Sequence, residues 1–209
     1  MMSSLNRLAI VPIVVTIAVV FLSACALGGG KTAYRLIAPE VDAPQPAQAD
    51  PAERTLAVSR PEADQTRDST RILVRRDRTL MPWKGTAWID RAPDLLQDLL
   101  VRFLDGRVAT VGRTGSLPAE FRLELVMRRF EMAERSGGLE AEVIVVVRLF
   151  DAVGRLLAVN TLEGREPAGG DSLDASVTAM ETAMGEVFSD LADWLRPKMA
   201  RGDAQVAPE

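Results

Sequence analysis

The chain has 209 residues, with 25 Lys and Arg against 29 Asp and Glu, a formal charge of −4 at pH 7. That balance argues against nucleic acid as a partner. It contains no histidine and one cysteine, which excludes a histidine-based triad, a zinc site of ordinary Cys/His type and an internal disulfide.

Residues 1–24 have the three parts of a signal peptide. Arg7 supplies the positive start, Leu8 to Leu22 is an apolar run broken only by Pro12 and Thr16, and Ser23 and Ala24 are small. The alternative is an uncleaved transmembrane anchor. Spanning takes about 20 apolar residues, and this run is shorter and is followed by Gly28-Gly29-Gly30. Leu22-Ser23-Ala24-Cys25 resembles a bacterial lipobox, which places cleavage between Ala24 and Cys25 and a diacylglycerol on the Cys25 thiol. Two or more acyl chains hold a protein firmly, at about 0.8 kcal/mol per buried CH₂. Asp after the cysteine retains such proteins in the inner membrane, so Ala26 points to the outer membrane. Arg7 is the one charge in residues 1–24, so the mature charge falls from −4 to −5.

Residues 25–33 form the lipidated cysteine and a flexible, glycine-rich tether. The nine steps from Cys25 to Tyr34 span at most about 30 Å. Tyr34-Arg35-Leu36-Ile37 reads as a first strand, residues 39–53 as a proline-rich loop, and Thr55 to Val58 as a second strand. Residues 60–69 are polar, Arg71 to Arg75 reads as a strand, and Met81 to Asp90 is loop-like with Trp83 and Trp88 flanking Gly85.

A first helix starts at Pro93 and ends at Gly106. Leu95, Leu96, Leu99, Leu100, Phe103 and Leu104 recur at helical spacing. Asp94, Gln97, Asp98 and Arg102 take the other side, with Asp98 and Arg102 as an i,i+4 pair. Val108 to Val111 is a short strand. Three strands then form a meander. In the first, Phe121, Leu123, Leu125 and Met127 alternate with Arg122, Glu124 and Arg128. In the second, Ala141, Val143, Val145, Val147 and Leu149 share a face. Ile144 and Val146 lie on the other, either covered by the N-terminal strands or serving as an interface. The third runs from Leu156 to Leu162. Turns fall at Glu134–Gly138 and Asp151–Arg155. A second helix runs from about Ser172 to Leu195, where Leu173, Val177, Met180, Met184, Val187, Leu191 and Trp194 make one apolar stripe. Strands just before it favour a helix docked on a sheet over a coiled coil. Pro197 ends it, and residues 198–209 are a polar tail. The expected fold is one α+β domain over 34–197, a largely antiparallel β-sheet with two main helices packed on it.

In order, these features resemble the ABC-type transport auxiliary lipoproteins (PqiC/YmbA-like). The matching residues are the lipobox, Tyr34-Arg35-Leu36, Trp88-Ile89-Asp90-Arg91-Ala92-Pro93-Asp94-Leu95-Leu96-Gln97 and Gly106-Arg107-Val108. Phe121-Arg122-Leu123-Glu124-Leu125, Asp151-Ala152-Val153-Gly154-Arg155 and Asp193-Trp194-Leu195 follow. The chain departs from the family at Met81-Pro82-Trp83, where relatives often carry tyrosines. The resemblance implies a non-enzymatic accessory component without a cofactor. It would work beside an MCE-family protein and its ABC transporter in intermembrane lipid transport, as an outer-membrane lipoprotein facing the periplasm. A structural or assembly lipoprotein without a transport role is the alternative, and a periplasmic hydrolase is a more distant one.

Other motifs weigh less. Gly30-Lys31-Thr32 matches only the end of a phosphate-binding loop, and Arg201-Gly202-Asp203 sits in the polar tail. Arg75-Arg76-Asp77-Arg78 is a solvated strand end or a contact for anionic headgroups or an acidic partner. Asp94 with Asp98, and Asp190 with Asp193, lie on polar helix faces, where solvation competes with acid/base work. Trp83 and Trp88 are core aromatics or a partner-facing or lipid-facing surface.

Overall fold

A computed structural model describes residues 32–34 and 54–202. The signal segment, Ala24 and Cys25, Gly30-Lys31, the strand expected over 35–37, the proline-rich stretch and residues 203–209 lie outside the described residues. The chain divides into two units, residues 1–32 and 33–209, and the architecture below is that of the second.

Seven strands form one sheet: β2 (Thr55–Val58), β3 (Leu73–Arg76), β4 (Thr79–Pro82), β6 (Thr110–Arg113), β7 (Phe121–Arg135), β8 (Gly138–Asp151) and β9 (Leu156–Pro167). The strands β1 (Thr32–Tyr34) and β5 (Thr86–Trp88) make a separate pair. Two helices, α1 (Ala92–Leu104) and α2 (Leu173–Gly202), complete the α+β fold. The meander is present as β7–β8–β9, antiparallel throughout, and its first ladder runs from Phe121 opposite Asp151 to Arg135 opposite Gly138. The second helix docks on β8 and β9, as the stripe of apolar residues implies.

Three parallel pairings are a feature that the pattern of side chains does not reveal. The strand β7 is long enough to take two partners on its free side. Leu56 of β2 lies opposite Phe121, and Val74 of β3 lies opposite Met132. Both strands extend the sheet in its own plane, so they do not lie over Ile144 and Val146, which are half-buried on the face away from the helices. A bulge between Met127 and Arg129 resets the alternation. Phe121, Leu123, Leu125 and Met127 face the core before it, and Phe130 and Met132 after it, because the extra residue shifts the face by one.

Helix α1 carries its expected apolar face, with Leu96, Leu100 and Leu104 fully buried. Proline lies in its first turn, and Gly106 turns the chain at φ 72. Two of its polar residues behave differently from expectation. Gln97 is buried, and its Nε2 donates to the Val58 carbonyl at 3.0 Å. The amide thus satisfies a backbone group beneath the helix, which is why a polar side chain is tolerated there. Asp98 bonds Arg113 of β6 rather than Arg102.

The second helix does not stop at Pro197. It continues to Gly202 with Pro197 inside it. Proline removes one backbone donor, yet Leu195 and Met199 on either side are buried, and the Arg54 guanidinium donates to the Met199 carbonyl. Tertiary packing outweighs the lost bond, so residues 198–202 belong to the helix and not to a polar tail. Phe103 of α1 meets Phe188 of α2 at 5.4 Å between ring centres.

Candidate functional site

Two acids that the sequence did not single out form the densest charge cluster. Glu131 and Glu142 face each other across β7 and β8, and both are buried, at 0% and 1% exposure. Like charges directly opposite destabilise a sheet, so cations must lie between them. Arg75 reaches both carboxylates, at 3.2 Å to Glu131 and with a second bond to Glu142. Arg67 contacts Glu131 at 2.6 Å and Arg129 contacts Glu142 at 2.9 Å. Arg135 also bonds Glu142. Burial alone pushes the Glu142 carboxyl up. The Arg75 hydrogen bond and the charges of Arg75, Arg129 and Arg135 outweigh it and hold the group below the ordinary carboxylate range. These carboxylates are saturated acceptors, so the cluster ties β3, β7 and β8 together rather than moving protons. The signal in the sequence is an acid inside an apolar run, Phe130-Glu131-Met132 and Ala141-Glu142-Val143.

The basic run at 75–78 is therefore divided by the fold. Arg75 is spent on the buried acids, Arg76 pairs with Glu134 at 3.5 Å, and Asp77 and Arg78 form the β3–β4 turn, with Asp77 at φ 50. Asp tolerates that left-handed conformation better than most residues.

Of the acid pairs, Asp94, Asp98 and Asp193 are engaged in ion pairs. Asp94 accepts from Arg60 at 2.6 Å, and Asp193 from Arg196 at 2.6 Å. Asp68 accepts from Arg60 and from Arg91, both at 2.8 Å. The hydrogen bonds from Arg60 and then Arg91 hold the Asp68 carboxyl down at about 2, against an ordinary value of 3.8. A lowered folded value gives stability that is present above the unfolded value and is lost as pH falls through the folded one. Stability measured by chemical denaturation is thus expected to drop between about pH 4 and pH 2, and Asp68→Asn should flatten that part of the acid limb.

Trp83 and Trp88 part company. Trp88 is buried at 3% exposure and meets Phe130 edge-on at 6.0 Å. This corrects the surface role for Trp88, which is a core aromatic, and its Nε1–H has no acceptor among the described residues. Trp83 is half-buried, with one side against the core. It also lines a cleft of about 620 Å³ with Val74, Met81, Pro82, Leu139, Arg76, Lys84, Glu134 and Asp171. A volume of this size is in the range that binds ligands or anchors a partner.

A second, smaller cleft of about 340 Å³ lies at the other end of the β7–β8 ladder, between residues 114–119 and the β8–β9 turn. Asp151 fixes that turn, its Oδ1 accepting from the backbone N–H of Val153 at 3.1 Å and of Arg155 at 2.8 Å. Val153 stands on this rigid turn 88% exposed, and Leu156 and Val159 beyond it are exposed too. Fourteen steps of strand separate the two ends, about 45 Å.

The family model for ABC-type transport auxiliary lipoprotein components matches residues 34–192. The chain belongs to this family. A solved structure of a protein from Xanthomonas campestris is similar to this auxiliary lipoprotein, with 26% identity and a TM-score of 0.67 over 83% of this chain and 98% of that one. A second, of an uncharacterized protein, shares the fold at 14% identity and a TM-score of 0.65, over 79% and 99% of the two chains. No curated protein matches. The family is one of auxiliary transport components and not an enzyme class. Its span takes in the Trp83 cleft, the buried acids and the Val153 turn alike.

Proposed function

We propose that this auxiliary lipoprotein is a lipid-anchored accessory subunit of an MCE/ABC-type intermembrane lipid transport system. In this reading diacylglycerol on Cys25 holds it in the outer membrane facing the periplasm, and it acts by binding rather than by catalysis. The observation that carries the reading is the Val153 end. A rigid turn presenting exposed Val153, Leu156 and Val159 is built to dock an apolar surface, since large exposed apolar residues grouped together mark interaction sites. Membership of the auxiliary lipoprotein family supports a transporter as the partner. The β1–β5 pair, where the tether joins the fold, packs near the far half of β7 through Trp88 and Phe130. The Val153 end lies at the opposite end of the β7–β8 ladder, where a partner that spans the periplasm would meet it.

Capture of the wild-type protein from detergent-solubilised membranes is expected to recover an MCE protein and its ABC permease, and Val153→Asp to lose them with unfolding behaviour unchanged. Cys25→Ser is expected to stay folded but to carry no lipid and to leave the outer-membrane fraction, its N-terminal peptide keeping residues 1–24. Recovery of neither component, with lipid asymmetry intact in a deletion strain, would overturn the transport role. A wild-type N-terminal peptide that keeps residues 1–24 and carries no lipid would instead establish an uncleaved anchor. Recovery of outer-membrane assembly proteins alone would favour the structural alternative.

A further inference from the structure

The geometry points to a second membrane contact, made by the turn between β4 and β5 with Trp83 at its centre, against the phospholipid bilayer that carries the anchor. This rests on the reading of Cys25 as lipidated. Three observations bear on it. First, Ala33 and Tyr34 belong to β1, which pairs with β5, so the tether joins the fold beside this turn. With nine steps from Cys25 to Tyr34, at most about 30 Å, the turn stays within reach of the bilayer in every orientation. The Val153 end lies about 45 Å along the ladder, farther from the attachment point.

Second, the turn exposes apolar side chains. Met81 is 37% exposed, Pro82 is exposed, and Trp83 shows one side to the cleft. Its geometry is fixed: Gly85 takes φ 75, Thr86 Oγ1 donates to the Trp83 carbonyl at 3.1 Å, and the Trp83 N–H donates to the Ile72 carbonyl at 2.7 Å. An indole held in place has an apolar body for the acyl boundary and an N–H for the headgroups, the arrangement that enriches tryptophan at membrane interfaces.

Third, two cations at the turn are available to lipid headgroups. Arg78 and Lys84 are exposed, and neither makes an ion pair among the described residues. Arg76 is occupied by Glu134, and Asp77, Asp90 and Asp171 are the other acids nearby. Two unengaged cations beside an aromatic and a methionine give both the electrostatic and the apolar half of a peripheral membrane contact. The contact would fix the orientation of the body relative to the bilayer.

The test uses the lipidated, full-length mature protein in phosphatidylethanolamine and phosphatidylglycerol vesicles with brominated acyl chains. Tryptophan emission should be quenched. Trp83→Phe should remove the quenched component, and Trp194→Phe should retain it. Arg78→Glu with Lys84→Glu should weaken the quenching. Amide exchange of residues 79–90 in the unmutated protein should slow on vesicles relative to detergent. Quenching that persists in Trp83→Phe, or its absence together with unchanged exchange, overturns the contact. The mass of the N-terminal peptide decides the anchor separately. If Cys25 is unmodified, the lipoprotein reading fails, while quenching of protein added to preformed vesicles still decides for or against the turn.

Discussion

Replacing Gly164 by alanine should destabilise the protein by about 3 kcal/mol, the upper end of what overpacking costs. A Cβ built there would stand 1.9 Å from the Ala183 carbonyl oxygen and 2.8 Å from its carbon, with Val187 Cγ2 at 3.1 Å. The obstacle is the backbone of α2, which cannot swing aside as a flexible side chain can. The helix must lift off β9, and the packing of Ala183, Met184 and Val187, all buried, is disturbed with it. Gly169→Ala is the control, since nothing lies within 4 Å of its Cβ. Urea unfolding of both variants should show a large fall in midpoint for the first and little change for the second. A midpoint for Gly164→Ala within error of the wild type would show that the helix is not seated as described.

The second large effect is expected at Glu142. Removing one partner of a buried ion pair typically costs about 3–5 kcal/mol. The arginines around Glu142 keep part of their water, Arg75 being 19% and Arg129 38% exposed, so Glu142→Gln should fall at the lower bound, about 3 kcal/mol. The loss is expected at neutral pH and should shrink in acid. The Glu142 carboxyl is held below its ordinary range, so its contribution is present above the unfolded value and vanishes as pH falls through the folded one. Glu163→Gln, on an exposed residue of β9, should change stability by no more than about 0.5 kcal/mol. Equal losses for the two variants would remove the case for a buried cluster.

The parts of the fold legible in the sequence were those with a strong period. Leu95 to Leu104 marked α1, and the alternation from Phe121 to Met127 marked the start of β7. The residues that misled were those whose role is set by a distant partner. Gln97 looks solvated until the Val58 carbonyl is placed beneath it. Pro197 looks terminal until Met199 is seen in the core. The parallel placement of β2 and β3 on one long strand leaves no trace in local pattern, because a half-buried strand alternates alike in either direction. At the candidate site, Trp83 and Trp88 stand out by flanking Gly85 in a loop-like segment, but only their surroundings separate a cleft residue from a core residue. The turn around Val153 was legible, but its role was not, since a single valine in a turn is conspicuous only once its exposure is known.

The double use of β7 has a further consequence, in time rather than in space. A chain is made from its N-terminus, and β2 and β3 emerge well before the strand they need: Leu56 must wait for Phe121, and Val74 for Met132. Until then β2, β3 and β6 are short segments with open edges, and open edges recruit other chains. The meander, by contrast, is made of neighbours joined by tight turns and can form as soon as it is complete. Folding is therefore expected to wait for the meander, with β7 at residues 121–135 supplying the template on which the earlier-made β2 and β3 assemble. A chain cut short before β7 has nowhere to put its beginning.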